Sequence, residues 1–242
     1  MIKRLLDILI AFFGLLVASP ILLLTIFLIW KQDKKSPFYM APRVGRNNII
    51  FKMVKLRSMV SNADSSGVDS TSANDSRITP IGHKIRKYKL DEITQLWNVL
   101  IGDMSLVGPR PNVKNETDLY TSVEEKLLLV KPGITDFSSI VFSDEGDILE
   151  GKDDPNLSYN QLIRPWKSRL GLIYIENRSS LLDLQLIIYT VIAIISKPQA
   201  LKWVVKQLIK MGADTDVVAV SMRKAELQPS VPLGVDEVVT TR

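Results

Sequence analysis

The stretch that decides the fold runs from residue 84 to residue 111 and reads KIRKYKLDEITQLWNVLIGDMSLVGPRP. Apolar residues recur in it at intervals of three and four, which predicts the buried face of a helix; they are Leu90, Ile93, Trp97 and Leu100. Asp91, Gln95 and Asn98 predict a polar face on the same helix. The adjacent acids Asp91 and Glu92 are equally accounted for by the dipole of a helix N-terminus, so spacing alone does not make them catalytic.

A longer pattern around these acids is similar to that of a known family. Leu-Asp-Glu at positions 90–92, followed by QLWNVL and by GDMSLVGPRP, resembles the signature of the bacterial sugar transferases, the monotopic polyprenyl-phosphate phosphoglycosyl transferases. The resemblance extends from Lys3 to about Lys210. It implies transfer of a sugar 1-phosphate from a UDP-sugar to undecaprenyl phosphate. It also implies a place at the cytoplasmic face of the bacterial inner (plasma) membrane.

Composition limits the chemistry that is available to the chain. Lys and Arg outnumber Asp and Glu by 31 to 26 in 242 residues, which favours anionic partners. The chain has no cysteine and one histidine, His83, so thiol nucleophiles, disulfides and multi-histidine metal centres are excluded. A metal would be held by oxygen, which favours magnesium or manganese. In a transferase of this kind we expect Mg²⁺ between Asp91 and the donor diphosphate.

An uncharged segment near the N-terminus predicts a membrane element. Residues 8–30 would form a helix of roughly 34 Å, enough to cross a hydrocarbon core of about 30 Å. Ser19 and Pro20 lie at its centre and predict a kink, and basic residues flank both ends. Because basic flanks prefer the cytoplasm, we favour a re-entrant helix hairpin over a single span. The family resemblance points the same way.

A β-hairpin is predicted next, with strands over 38–44 and 49–57. The period of two places Lys55 and Arg57 on one face, where they form a candidate substrate-binding pair for phosphate oxygens. A solvated edge strand protected by charge explains the spacing equally well, and the family resemblance favours the functional role. Residues 61–76 are rich in Ser, Asp and Asn and predict a mobile loop.

The candidate chemistry centres on Asp91. Our hypothesis is that Asp91 attacks the phosphoryl group that carries the sugar, and that the lipid phosphate then attacks the resulting intermediate. Glu92 is the second catalytic candidate, either in the metal shell or at the acceptor. Arg86 and Arg110 are expected to bind phosphate, the latter fixed between two prolines.

The C-terminal half adds weaker signals. The family's later motif includes Asn177 and Arg178, which are candidate donor contacts or structural residues. Asp136 stands where the family usually has glycine, and Ile93-Thr94 replaces its common Leu-Pro, which puts donor specificity in doubt. Residues 181–196 predict a buried or interfacial helix. Residues 201–211 pair an apolar stripe with a lysine row, which favours a helix in the headgroup region over ordinary packing.

The expected fold is mostly helical α+β. Residues 1–36 form the re-entrant membrane helix and its flanks, 37–212 a cytosolic catalytic domain with interfacial helices, and 213–242 a loosely ordered tail. The expected partners are a UDP-sugar, undecaprenyl phosphate and membrane lipid, with a homodimer left open and no nucleic acid. The alternative function is a membrane-tethered adaptor or anion-binding protein without catalysis.

Overall fold

The first long helix and a short β-hairpin precede a run of helices in the computed structural model, which describes residues 2–63 and 75–241. The helices are α1 (Ile2–Asp33), α2 (Pro80–Lys87), α3 (Leu90–Ile93), α4 (Leu96–Ile101), α5 (Lys114–Thr117), α6 (Phe137–Val141), α7 (Glu145–Ile148), α8 (Pro155–Leu162), α9 (Arg164–Asn177), α10 (Ser180–Ile195), α11 (Lys197–Lys210) and α12 (Thr215–Ser221). The strands are β1 (Phe38–Val44), β2 (Ile50–Leu56), β3 (Ser105–Val107) and β4 (Gly133–Thr135). The mostly helical α+β prediction is confirmed. The predicted mobile loop falls largely on residues 64–74, which lie outside the described residues.

Helix α1 is long and apolar enough to cross a membrane, judged by length and composition. It runs unbroken through Pro20. Proline removes the hydrogen bond that would reach the carbonyl of Leu16. The Ser19 hydroxyl donates to that carbonyl instead, at 2.8 Å. The Ser-Pro pair thus keeps the helix hydrogen-bonded at its centre, and the re-entrant hairpin stays a prediction.

The same domain holds both ends of α1. Near the start, the Lys3 ammonium donates to the Asp183 carboxylate of α10 at 2.7 Å. One turn later, Asp7 accepts hydrogen bonds from the Ser105 hydroxyl at 2.9 Å and from the Leu106 amide at 3.1 Å. At the far end, Asp33 pairs with Arg57. One stripe of the helix therefore packs on the domain while most of its apolar side chains remain exposed.

The strands form two separate two-stranded sheets. In the first, β1 pairs antiparallel with β2 from Phe38–Leu56 to Val44–Ile50, which confirms the predicted hairpin. In the second, β3 pairs parallel with β4, and the sequence patterns did not predict this pair. Two backbone segments of the protein approach each other closely beside this pair, since a Cβ on Gly133 would lie 2.1 Å from the amide nitrogen of Gly108. Glycine is required there because no larger residue fits.

The predicted helix around the two acids is present as three short helices, α2, α3 and α4. Lys89 lies between the first two in the left-handed region, with φ 54°. The predicted apolar face is borne out at Leu90, Ile93 and Leu100, which are partly buried against the hydrophobic cores. It is wrong at Trp97, which is 52% exposed, and the predicted polar face is wrong at Gln95 and Asn98, which are fully buried. The amide of Asn98 accepts from the Val54 amide and donates to the Lys52 carbonyl, both at 2.8 Å. These bonds satisfy backbone groups on the free edge of β2, so a polar side chain turns inward there.

The last helices differ from the sequence expectations in how they pack. The apolar stripe of α11, including Leu201, Val204 and Leu208, is buried within the domain. The headgroup position predicted for this stripe is wrong, and the stripe shows the ordinary packing that was the alternative. Helix α10 buries Leu186 on one side and exposes apolar residues such as Ile188 along the other.

The chain after residue 212 contacts the domain at several points, whereas we expected a loosely ordered tail. Helix α12 buries Val217. Farther along, the Ser230 amide donates to the Gln161 carbonyl at 2.9 Å. The Thr121 hydroxyl donates to the Leu233 carbonyl at 2.5 Å. Because hydrogen bonds and buried apolar side chains both occur, this segment is part of the folded structure.

Candidate active site

A cleft of about 710 Å³ lies along the β-hairpin, between α2, α3 and the start of α5. Its described lining contains seven basic residues, which are Lys35, Arg43, Lys55, Arg57, Arg77, Arg86 and Lys114. The single acid among those described lining residues is Asp91. A lone carboxylate surrounded by cations in a cavity of this size suits a ligand with several negative charges.

Asp91 lies in the first turn of α3, directly after the left-handed bend at Lys89. Its carboxylate is 3.9 Å from the Lys55 ammonium on β2. Burial lowers the pKa of Lys55 to about 8, although the charge of Asp91 opposes the shift. A lysine with such a pKa is partly neutral slightly above neutral pH, so its charge depends on pH in the range where enzymes are assayed.

Arg86 reaches the same cleft from the end of α2. The helix begins as predicted at Thr79-Pro80: the Thr79 hydroxyl accepts from the Gly82 amide at 3.0 Å, and proline occupies the first turn. The Arg86 Nε donates to the Ser58 hydroxyl at 3.0 Å. Burial lowers the pKa of Arg86, and the charges of Asp91 and Asp75 oppose that effect. A guanidinium remains charged at all assay pH values.

Arg57 lines the cleft but is already paired. Its Nη2 donates to Oδ1 of Asp33 at 2.6 Å, and its Nη1 donates to the Ser61 hydroxyl at 2.8 Å. The hydrogen bonding of Arg57 to Asp33, together with the bond from the Lys35 backbone amide and against the opposing effect of burial, lowers the pKa of Asp33 to about 2. Arg57 therefore connects the end of α1 to the wall of the cleft.

Two further predicted residues, Glu92 and Arg110, form an ion pair with each other. Arg110 Nη2 donates to Glu92 Oε1 at 2.7 Å. Neither residue is among the described residues that line the cleft. Burial raises the pKa of Glu92, but the charges of Arg110, Lys89 and Lys55 outweigh it and leave the pKa below its usual value. The pair still lies within charge range of the cleft, because the charges of Arg110 and Glu92 both act on the pKa of Lys55 and the charge of Asp91 raises the pKa of Arg110. The role expected for Arg110 in binding phosphate stays a prediction.

Arg110 lines a second, small cavity of about 30 Å³. Asp136 lies there too, and it caps α6 by accepting from the Ser139 amide at 2.7 Å. Burial raises the pKa of Asp136 against these hydrogen bonds. The departure from the family's usual glycine is thus accounted for by a helix cap.

The remaining two predicted residues lie elsewhere. Asn177 ends α9 and its amide donates to the Ile173 carbonyl at 2.9 Å, while Arg178 follows in the turn before α10. Both are exposed, and neither is among the described residues that line the cleft. The structure thus brings Lys55, Arg57, Arg86 and Asp91 together. Glu92 and Arg110 adjoin this group through charge interactions with Lys55. Asn177 and Arg178 are not among the described residues that line the cleft.

Sequence reasoning missed several basic residues of the cleft, among them Lys35, Arg77 and Lys114. The sequence indicates Lys35 only as one of the basic residues that flank the apolar segment. Arg77 is bonded to Asp75, with its Nη2 2.6 Å from the carboxylate. No local pattern predicts that these positions meet, because they are brought together by the hairpin and by α2.

The fit of a magnesium ion can be judged from the donor groups. Among residues 2–63 and 75–241, no group of three His, Cys, Asp or Glu side chains could hold a metal. Asp91 offers one carboxylate next to open space. Magnesium commonly binds through one or two carboxylates together with substrate phosphates. The site therefore fits a magnesium ion that arrives with a diphosphate, not one in an all-protein cage.

Comparison with known proteins places the chain in a family. A family model described as bacterial sugar transferase matches residues 1–197. The chain therefore belongs to the bacterial sugar transferase family, as the signature around Asp91 predicted.

Individual relatives agree with this assignment. The exopolysaccharide production protein ExoY of Sinorhizobium fredii is 34% identical over 207 residues, which cover 79% of this chain and 84% of the relative. The UDP-N-acetylgalactosamine-undecaprenyl-phosphate N-acetylgalactosaminephosphotransferase of Aeromonas hydrophila is 32% identical over 81% of this chain and 44% of its own length. The UDP-glucose:undecaprenyl-phosphate glucose-1-phosphate transferase of Klebsiella pneumoniae is 35% identical over 78% of this chain and 39% of its own length. The chain thus matches less than half the length of these two named transferases.

Proposed function

We propose that the protein transfers a sugar 1-phosphate from a UDP-sugar to undecaprenyl phosphate through a phosphosugar carried on Asp91. The observation that carries the proposal is the carboxylate of Asp91, the single acid among the described residues that line a basic cleft. Relatives whose names state this reaction class support the substrates.

The first step joins Asp91 to the sugar-bearing phosphorus of the donor. A carboxylate oxygen attacks that phosphorus, the bond to the bridging diphosphate oxygen breaks, and the bridging oxygen leaves with UMP. In the second step an oxygen of the lipid phosphate attacks the same phosphorus. The bond to Asp91 breaks, the carboxylate is restored, and a lipid-linked diphosphate sugar leaves. Both steps exchange one phosphorus–oxygen bond for another, so no net proton is needed.

The basic residues supply charge where the reaction develops it. Phosphoryl transfer depends mostly on positioning and on neutralising spread negative charge. Lys55 lies within reach of Asp91 and of a phosphoryl group bound to it. Arg86 offers further donors beyond its bond to Ser58. These two cations would hold the diphosphate against the carboxylate.

Magnesium is proposed as the cofactor, held by Asp91 and the donor diphosphate. When bound, the ion supplies neutralisation of the diphosphate charge. The chain's own residues orient the phosphorus and limit the approach of Asp91, because Asp91 lies on a short helix fixed between two other helices.

We propose a monotopic arrangement for α1, with both of its ends at the cytoplasmic face. The contacts of Lys3 with α10 and of Asp33 with Arg57 support it, because they bring both ends to one domain. A helix that crossed the bilayer would place its two ends on opposite sides of a hydrocarbon core about 30 Å thick, where one domain could not contact both. The apolar side chains along the rest of α1 are exposed and suited to lipid.

The activity is tested by UMP release from a panel of UDP-glucose, UDP-galactose and UDP-N-acetylgalactosamine with undecaprenyl phosphate and magnesium. We expect Asp91→Asn to abolish release while the protein remains folded. Asp147→Asn, at an exposed acid on α7 away from the cleft, is the matched control and should retain activity. Full activity in Asp91→Asn would refute the proposed nucleophile. Failure of all donors would refute the proposed substrates, and an adaptor would then be the better account.

A further inference from the structure

One end of the basic cleft lies directly at the end of α1. Lys34 lies over the Trp30 ring, with its ammonium 3.8 Å from the ring centroid. A tryptophan beside lysines at the end of an apolar helix is typical of the membrane–water interface. The next two residues, Lys35 and Ser36, already line the cleft that contains Asp91. A group at the level of the lipid headgroups therefore reaches this end of the cleft first.

The Asp33 carboxylate organises that end. Its Oδ1 accepts from the Lys35 backbone amide at 3.0 Å and from Arg57 Nη2 at 2.6 Å. One acid thus fixes the backbone of Lys35 and the guanidinium of Arg57 together. The charges of both Arg57 and Lys35 act on Asp33, so the cluster of two cations and one carboxylate carries a net positive charge.

The opposite end of the cleft lies about 16 Å from Lys55 along the hairpin. Lys55 is close to Asp91, and Ile50 lies five positions before it on the same strand. Ile50 lines the cleft near the hairpin tip, with Arg43 and Lys114. That length accommodates the nucleoside side of a donor whose reacting phosphorus lies at Asp91. The donor and the lipid phosphate therefore have separate approaches to one carboxylate.

We propose that Lys35 and Arg57, held by Asp33, form the binding site for the phosphate of the lipid acceptor. The site deepens the proposed function and rests on it, because a reaction with a lipid phosphate needs a cation at this level. Lys35 and Arg57 bind that phosphate, and Asp33 is a positioning residue. The donor diphosphate is held by Lys55 and Arg86 at Asp91.

The two half-reactions test this division. Lys35→Gln is compared with Lys34→Gln, an adjacent variant that removes the same charge from a lysine outside the described lining of the cleft. Each protein is mixed with the UDP-sugar that gives the largest UMP release, without acceptor, and the burst of UMP is measured. Turnover is then measured against undecaprenyl phosphate in uncharged detergent micelles, so that bulk anionic lipid contributes nothing. Lys35→Arg, which keeps the charge, tests for rescue.

We expect Lys35→Gln to leave the UMP burst unchanged and to lower kcat/KM for undecaprenyl phosphate by about tenfold or more, the loss typical of one charge-assisted hydrogen bond. Lys34→Gln should stay within about twofold of the unaltered protein, and Lys35→Arg should restore most of the loss. The assignment is overturned if Lys35→Gln weakens the burst as much as acceptor turnover. It is overturned equally if Lys34→Gln shows the same loss.

A missing burst in the unaltered protein would count against the covalent step of the proposed function. The acceptor site would still be tested by steady-state kinetics, because Lys35→Gln should raise KM for undecaprenyl phosphate and leave KM for the UDP-sugar unchanged. An unchanged acceptor KM would overturn the site itself.

Discussion

The charge of Lys55 should set the upper pH limit of donor use. Its pKa is lowered to about 8, and its ammonium lies 3.9 Å from Asp91. If the protonated form binds the donor diphosphate, as proposed, kcat/KM for the UDP-sugar should be highest below that pKa and fall as pH rises through it. At pH 9 about one tenth of the lysine remains charged, which predicts about a tenfold loss relative to pH 7.

Lys55→Arg tests this reasoning because a guanidinium does not lose its proton in the assay range. In Lys55→Arg, kcat/KM should no longer fall between pH 8 and pH 10. Lys55→Met should have low activity, and its kcat/KM should not fall over this pH range. Lys52→Arg, at an exposed lysine on the same strand, is the control, and its kcat/KM should still fall at alkaline pH. UMP release at saturating acceptor from pH 6 to pH 10 gives the profiles. An unchanged alkaline limb in Lys55→Arg would refute the assignment to Lys55.

Three further predictions concern the scaffold. Asn98→Ala should lower the free energy of unfolding by about 2–4 kcal/mol, because backbone groups of β2 lose their buried partners; denaturant unfolding in detergent measures it, and a loss below about 0.5 kcal/mol would contradict it. Glu124→Gln should cost about 3–5 kcal/mol, since it leaves the buried guanidinium of Arg164 uncompensated; unfolding by the same method with no loss would argue against that pair. Single cysteines at Ile2 and Lys31, in a chain without natural cysteine, should both react with an impermeant maleimide in inverted membrane vesicles; labelling at one end only would contradict the monotopic arrangement.

Elements with a strong local signal were predicted well from the sequence. The β-hairpin has alternating side chains and a turn with Gly45, and the start of α2 has the Thr79-Pro80 pair. Both depend on residues next to each other in the chain. The family signature also brought Asp91 and Lys55 into one hypothesis, and the structure places their charged groups together.

Elements that depend on distant partners were not predicted. Asn98 is buried because β2 offers unpaired backbone groups to it, and the helical pattern contains no sign of that strand. Strands β3 and β4 have three residues each, too few for an alternation to be visible. The mutual pairing of Glu92 and Arg110, eighteen positions apart, depends on the path of the intervening chain.

The organisation of the site follows from the same distant contacts. The residue that follows the end of α1 by two positions, Lys35, lines the cleft, so the proposed membrane element and the proposed phosphate-binding residues share one surface. Asp33 connects them through Arg57. In the proposed reaction, a lipid substrate that stays in the bilayer and a soluble nucleotide sugar would therefore reach the same acid from two directions.

The most direct test of the covalent mechanism is peptide mass spectrometry of the protein after incubation with a UDP-sugar and magnesium in the absence of undecaprenyl phosphate. We predict one added sugar phosphate on the peptide that contains Asp91, lost when the lipid phosphate is added. An adduct on any other residue, or UMP release that occurs only with acceptor and leaves no adduct, would contradict the account.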